Sequence, residues 1–205
     1  MEFFQSEQEI LMKILKNRRD VRGNRFLDKQ IEKEKLHTIL EAAITAPSVG
    51  YSQPWKFVVI EDKTTKEKIY QNFVEENQKA IPHFKGTLYD SLKLEGIKEA
   101  PINIAVLYEK PKKTTLGMTS QEKMGEYSVV CAVQNMWLMA RALNIGIGWV
   151  SILDETKVLE ILDQKEKKLI AYLCVGYVEE FLDKPELKTL GWEKTKEFDE
   201  VIEFL

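Results

Sequence analysis

Five cationic side chains, Lys16, Arg18, Arg19, Arg22 and Arg25, fall within the stretch KNRRDVRGNRF at 16–26, and one carboxylate, Asp20, stands among them. Arginine presents a planar fork of N–H donors that matches phosphate oxygens, and a dianionic phosphate needs two or more such forks to leave water without net cost. Arg18, Arg19 and Arg22 offer that set. The same residues also fit a solvated helix end, where the guanidinium groups merely satisfy the last carbonyls. Asp20 reads either as a proton carrier or as the charge-balancing half of a salt bridge. With three arginines close by, its pKa is expected below the usual carboxylate range.

The positive charge is local. Over 205 residues, 30 Lys and Arg stand against 33 Asp and Glu, and the resulting net charge of -3 argues against a nucleic-acid binder and for a small anion as ligand. Cys131 and Cys174 lie far apart in apolar runs without CxxC spacing, and His37 and His83 are the only histidines, so no metal site is expected. The opening MEFFQSEQEI lacks the basic-then-apolar order of a secretory leader, and no apolar run reaches membrane-spanning length. The chain therefore reads as a cytoplasmic protein with one domain over residues 1–205.

Other motifs narrow the chemistry. GIGWVS, with Gly146 and Gly148, has the glycine spacing of a dinucleotide fingerprint but follows a helix and opens a strand, the reverse of the order that motif requires. No GxxxxGK[ST] occurs, and Ser48, Ser128 and Ser151 lack the G-x-S-x-G setting of a hydrolase nucleophile.

The elements that must carry the basic cluster are legible from periodicity. Ile10, Leu11, Ile14 and Leu15 give residues 6–16 one apolar face, predicting a helix that delivers Arg18 and Arg19 at its C-terminal end. A second helix is predicted over 32–45, stopped by Pro47, and PSVGYSQPW leads into a buried strand at 57–60. A polar helix follows at 64–79, and the weakly patterned segment 80–95 reads as a mobile cover over a site. Further strands are expected from Pro101, at 146–153 and at 169–178, with a short helix at 158–162. The helix at 122–143 is apolar nearly all round and is expected to be buried on several sides, in a core or between subunits. KPKKTTLGMTSQ reads as an exposed basic loop, and the charged tail with spaced aromatics as a segment that wraps around something. Helices and strands mix without regular βαβ alternation, so the expected class is α+β.

RRDVR at 18–22, APSVGYSQPW at 46–55 and ALNIGIGWVSI at 142–152, in this order and spacing, resemble the nitroreductase-like flavoenzymes over nearly the whole chain. Many members have Ser or Thr where Asp20 stands. An aspartate there, with EGIKEAP at 95–101, YSVVCAVQNMWLMARA at 127–142 and AYLCVGYV at 171–178, is similar to the branch of 5,6-dimethylbenzimidazole synthases, which make the lower ligand of vitamin B12 from reduced FMN and oxygen. The resemblance implies a nitroreductase-like fold, with a mixed central β-sheet surrounded by helices, and a homodimer with two flavin sites at its interface. It implies FMN as cofactor or, when reduced, as substrate, with NAD(P)H as a reductant that stacks on flavin in members that use it.

By the same resemblance Arg18, Arg19 and Arg22 hold the phosphate and ribityl side of FMN, and Asp20 and Ser151 are the catalytic candidates. Pro47 and Ser48 line the flavin through backbone and hydroxyl contacts, or else form only a helix stop and turn. Gln53 either contacts flavin or secures that turn. Gly148 permits close backbone approach to the ring, and Trp149 is either a core aromatic or a stacking partner. Two other functions use the same residues: an NAD(P)H-dependent reductase of nitro compounds or quinones that retains its FMN, and a non-catalytic flavin-binding protein.

Overall fold

Two largely apolar runs, INIAVLY and KLIAYLCVGY, become neighbouring strands, and burial on both faces is what makes them apolar at nearly every position. In this computed structural model, which describes residues 1–84 and 87–205, four strands form one sheet. They are β1 (Trp55–Ile60), β2 (Ile102–Tyr108), β3 (Ile145–Val150) and β4 (Lys168–Tyr177), in the order β1-β2-β4-β3. Each neighbouring pair is antiparallel. Among the described residues, the parallel pairing expected of a mixed sheet is confined to an isolated bridge between Asp20 and Ile147.

The helices are α1 (Gln5–Asn17), α2 (Lys33–Ile44), α3 (Lys63–Ala80), α4 (Thr87–Ser91), α5 (Met124–Ala142), α6 (Glu155–Ile161), α7 (Glu186–Thr189) and α8 (Phe198–Val201). Strand alternation sorts the core into two layers. Ile102, Ile104, Leu173 and Val175 pack with Ile39 and Ala43 of α2 and with Val129, Val133 and Met136 of α5. Ala105, Leu107, Tyr172 and Cys174 pack on the other side with Ile69 and Phe73 of α3 and Val158 of α6. Asp62 starts α3 by accepting from Thr65 N–H at 2.7 Å, and Asp154 starts α6 by accepting from Thr156 N–H at 2.9 Å. Among the described residues, no helix is long and apolar enough to cross a membrane.

Several surfaces depart from the expectations above. β1, an edge strand, is buried only at Ile60, with Lys56 and Val59 exposed, instead of being buried throughout. α5 buries one side, while Tyr127, Val130 and Cys131 face outward. α1 buries no residue, and Ile10 and Leu11 are more than half exposed. Beyond Leu187 the tail is exposed. Its Trp192 nevertheless packs 5.6 Å from Phe84, whose ring stacks on Tyr89 at 4.3 Å, so part of the tail meets the segment expected to act as a cover. Residues 85 and 86 of that segment, Gly86 included, lie outside the described residues.

The basic segment is laid along the free edge of β3. Val21 N–H donates to the Ile147 carbonyl at 3.0 Å, and Gly23 N–H to the Glu95 carbonyl at 2.8 Å. Such closeness requires glycine opposite: a Cβ at Gly148 would lie 2.1 Å from the Val21 carbonyl oxygen, and one at Gly146 would lie 2.9 Å from a Val21 methyl. Gly148→Ala must therefore push residues 20–22 off the strand. It is expected to lower stability by about 1–3 kcal/mol, as overpacking does, read from the urea midpoint. An unchanged midpoint would show that this segment yields freely.

Candidate functional site

α1 ends at Arg18, whose extended backbone (φ -66°, ψ 134°) releases the arginines from the helix onto the β3 edge. Their tasks then diverge. Arg19 donates from Nε to the Leu182 carbonyl at 2.9 Å and from Nη1 to the carbonyls of Lys16 and Arg18 at 2.8 Å, and its Nη2 bonds the Asp183 carbonyl. It thus caps α1 and ties down the tail, so the helix-end reading of this cluster holds for Arg19. Arg22 places Nε 3.2 Å from Asp20 Oδ2 and 4.0 Å from Glu186, and donates from Nη1 to the Leu94 carbonyl at 3.1 Å. Arg18 lies with its guanidinium 4.8 Å over the Trp137 ring. The three arginines and Asp20 border a cleft of about 140 Å³, walled on its far side by Leu182 and by Pro185 to Leu187.

Asp20 is held at both oxygens: Oδ1 accepts from Trp149 N–H at 3.1 Å and Oδ2 faces Arg22. Its pKa is raised, contrary to the expectation from charge alone. Burial is the dominant cause, and Glu186 adds to the rise; together they outweigh Arg22, the Trp149 N–H and Arg18, which all favour the ionised form.

A second cleft of about 290 Å³ shares Arg22 and Leu187 with the first and is bordered by Tyr89, Leu94, Trp149, Ser151 and Trp192. Ser151 stands exposed one residue past β3. The loop that follows it is anchored by Asn72, whose Nδ2 donates to the Asp154 carbonyl at 3.0 Å and whose Oδ1 accepts from Asp154 N–H at 2.8 Å. Trp149 is half-buried, its ring 6.3 Å from that of Trp137. Gly148 serves the seam with Val21, which occupies the space its side chain would need.

Pro47, Ser48 and Gln53 border neither cleft. Their loop is built from within: Ser48 Oγ accepts from Gln53 N–H at 3.1 Å, and Ser128 Oγ accepts from Val49 N–H at 3.0 Å. Gly50, Tyr51 and Gln53 have φ of 54°, 51° and 46°. For Tyr51 and Gln53 that left-handed backbone costs about 1–3 kcal/mol each, a strain that gathers at functional sites. At about 100° per residue around a helix, Ser128 and Asn135, which meet this loop and the end of α2, lie opposite Trp137 and Arg141, which meet the arginine segment. The exposed Tyr127 and Cys131 lie between them, and the exposed Val130 lies beside Arg141.

The structure thus unites Arg18, Arg19, Asp20, Arg22, Gly148, Trp149 and Ser151, and sets Pro47, Ser48 and Gln53 apart, across α5. Sequence reading missed Trp137, Ser128 and Glu186. Trp137 and Ser128 sit in an apolar helix that reads as packing. Glu186 follows Pro185 in the tail, and that proline was the one available sign of an ordered turn.

Comparison with known proteins identifies the family of the chain. The model of the Nitroreductase family matches residues 15–177. A 5,6-dimethylbenzimidazole synthase of Rhodospirillum rubrum is 40% identical over 185 residues, covering 87% of each chain. One of Rhodobacter capsulatus is 31% identical over 200 residues, covering 95% of this chain and 96% of its own. Among solved structures, oxidized iodotyrosine deiodinase bound to FMN and 3-iodo-L-tyrosine superposes with a TM-score of 0.74 at 24% identity, over 95% of this chain and 98% of that one. That likeness extends the nitroreductase-like architecture to nearly the full length.

The raised pKa of Asp20 has a measurable consequence. The native carboxyl keeps its proton to a pH above the reference value of 3.8. Between 3.8 and that higher value the native state binds more protons than the unfolded chain, so stability falls as pH rises through this window, and the loss is complete above it. Asp20→Asn keeps an acceptor for Trp149 N–H and removes the loss. The variant is expected to be at least as stable as the parent at neutral pH, with the advantage fading on acidification, as followed by thermal unfolding. A variant that is less stable at neutral pH would instead make the Arg22 pair the dominant influence.

Proposed function

The chain belongs to the nitroreductase family, and on that footing we propose that it is an FMN-dependent oxidoreductase acting as a 5,6-dimethylbenzimidazole synthase on reduced FMN and oxygen. The observation that carries this reading is Asp20, a carboxylate of raised pKa placed between the arginine cleft and β3, the strand that leads into Ser151. Similarity to the two synthases over most of the chain supports it.

The residues present fit the flavin nucleotide. The 140 Å³ cleft is below the roughly 300–1,000 Å³ of a small-molecule pocket but suits a phosphate. Arg18 and Arg22 would hold that phosphate, while Arg19 adds charge and fixes the wall. A terminal phosphate gripped by these arginines would favour FMN over FAD. The ring would lie toward the larger cleft, along Gly148, Trp149 and Ser151. Bound reduced FMN supplies the electrons and, in this reading, the atoms of the product. Asp20 takes a proton from a ribityl carbinol, for which a raised pKa makes it a better base than an arginine-paired carboxylate. Ser151 Oγ donates a hydrogen bond where negative charge develops.

Pro47, Ser48 and Gln53 would enter the site from a second copy of the chain. The bare apolar side of α1 and the outward stripe on α5 support a homodimer, because the strained loop and the arginine segment flank that same stripe. The two free thiols, Cys131 and Cys174, suit a cytoplasmic protein. A second reading is an NAD(P)H-dependent reductase of nitro compounds or quinones that retains its FMN. It is favoured by Asp20 being engaged at both oxygens, as a structural carboxylate would be.

The test is anaerobic reduction of the FMN-loaded protein, admission of air and mass spectrometry of the products. Dimethylbenzimidazole is expected; intact oxidised FMN alone would favour the reductase or a flavin carrier. Asp20→Asn should keep flavin affinity and lower product by roughly 100-fold, the scale of acid–base catalysis, whereas Ser151→Ala should divert turnover to intact FMN. Arg22→Ala should weaken FMN binding by about 1–3 kcal/mol, as loss of a charged hydrogen bond does. Equal affinity for FAD and FMN would defeat the phosphate assignment. Sedimentation at micromolar concentration should give a dimer, and a monodisperse monomer would remove the composite site.

A further inference from the structure

Among the described residues Arg18 is the one arginine of the cleft whose guanidinium makes no hydrogen bond or ion pair; Arg19 and Arg22 are engaged with carbonyls and carboxylates of the chain itself. A long side chain free in this way samples many rotamers, and ordering it on ligand binding weakens that binding. Trp137 counters this at two points. Its ring face lies 4.8 Å from the Arg18 guanidinium carbon, within cation–π range. Its indole N–H donates to the Arg19 carbonyl at 3.1 Å, fixing the peptide between Arg19 and Asp20. The Trp149 ring, 6.3 Å away and tilted by 48°, backs the indole. One side chain thus holds both the guanidinium of Arg18 and the backbone next to it, at the border of the cleft.

We propose that Trp137 is a positioning residue for phosphate recognition, acting through Arg18 to pre-set the cation that meets the terminal phosphate of the flavin. The proposal rests on the FMN reading above. It concerns the phosphate alone, so it separates from a packing role by comparing FMN with riboflavin, which has the same ring and chain without the phosphate.

Dissociation constants for oxidised FMN and riboflavin, from flavin fluorescence, are to be measured for the parent protein, Trp137→Leu, Trp137→Phe, Arg18→Met and the Trp137→Leu, Arg18→Met pair. The preference for FMN is expected to fall about 2- to 5-fold in Trp137→Leu, the scale of a partly exposed cation–π contact. Trp137→Phe, which keeps a ring face, should lose less. The double variant should match Arg18→Met alone. Equal weakening of both ligands in Trp137→Leu, or an undiminished effect of Trp137→Leu with Arg18 removed, overturns the proposal. If Trp137→Leu does not fold, Trp137→Phe with and without Arg18 decides, through a smaller fall in the same direction that Arg18→Met abolishes. A parent protein that binds FMN and riboflavin equally well refutes the phosphate site itself. A parent that prefers FMN, with Trp137 variants that preserve the preference, refutes only the role of Trp137.

Discussion

The hydrogen bond from Val21 N–H to the Ile147 carbonyl, with the Trp149 N–H returning to Asp20, is the junction on which the site depends. It turns the chain after α1 into a short companion of β3 and so converts a run of arginines into a fixed surface. Without it the side chains of residues 18–22 would spread in solution, where a cluster of like charges has no preferred arrangement. Gly148 makes the junction sterically possible, and β4, paired along the other side of β3, makes it rigid. Asp20 is drawn in as part of the seam, which explains its burial.

Counting charges gives the wrong sign for the Asp20 pKa because it leaves solvent out. Two cations, Arg22 and Arg18, favour the carboxylate, but part of the field of the cluster is directed at other acceptors. Arg19 faces carbonyls and Arg22 is divided between Asp20, Glu186 and Leu94. Removal of water acts on the carboxylate directly. An aspartate in a basic motif can therefore be harder to ionise than one in water, and only the packed geometry decides which effect wins.

The fold class was legible because apolar runs and helical periodicity report burial. α1, α2, α3 and α5 and the four strands fall near the positions that periodicity indicates. What it could not convey was the order of pairing, so β1 read as buried although it lies at an edge. Nor could it say what covers an apolar side: Val130 and Cys131 resemble Val129 and Ala132 in type, yet they point the other way. In the site, the density of arginine marked RRDVR as a candidate, with a solvated helix end as the competing reading. The division of labour within it was hidden, since it rests on the carbonyls of Leu182 and Asp183 and on an indole in α5, all remote in sequence.

The tail and the catalytic candidate are also coupled. Glu186 reaches Arg22 at 4.0 Å and Arg25 at 3.3 Å, and its charge is one of the influences that raise the Asp20 pKa. Coupling of this kind is reciprocal: whatever the docked carboxylate adds to the proton affinity of Asp20, a proton on Asp20 adds to the docking of Glu186. α7 has four residues and no buried side chain, so its position rests on these charges, on Arg19 and on the local turn. A phosphate entering the cleft would compete with Glu186 for Arg22 and would at the same time favour protonation of Asp20. Anion binding, tail position and the protonation of Asp20 are therefore not independent variables, and a change in any of them displaces the other two.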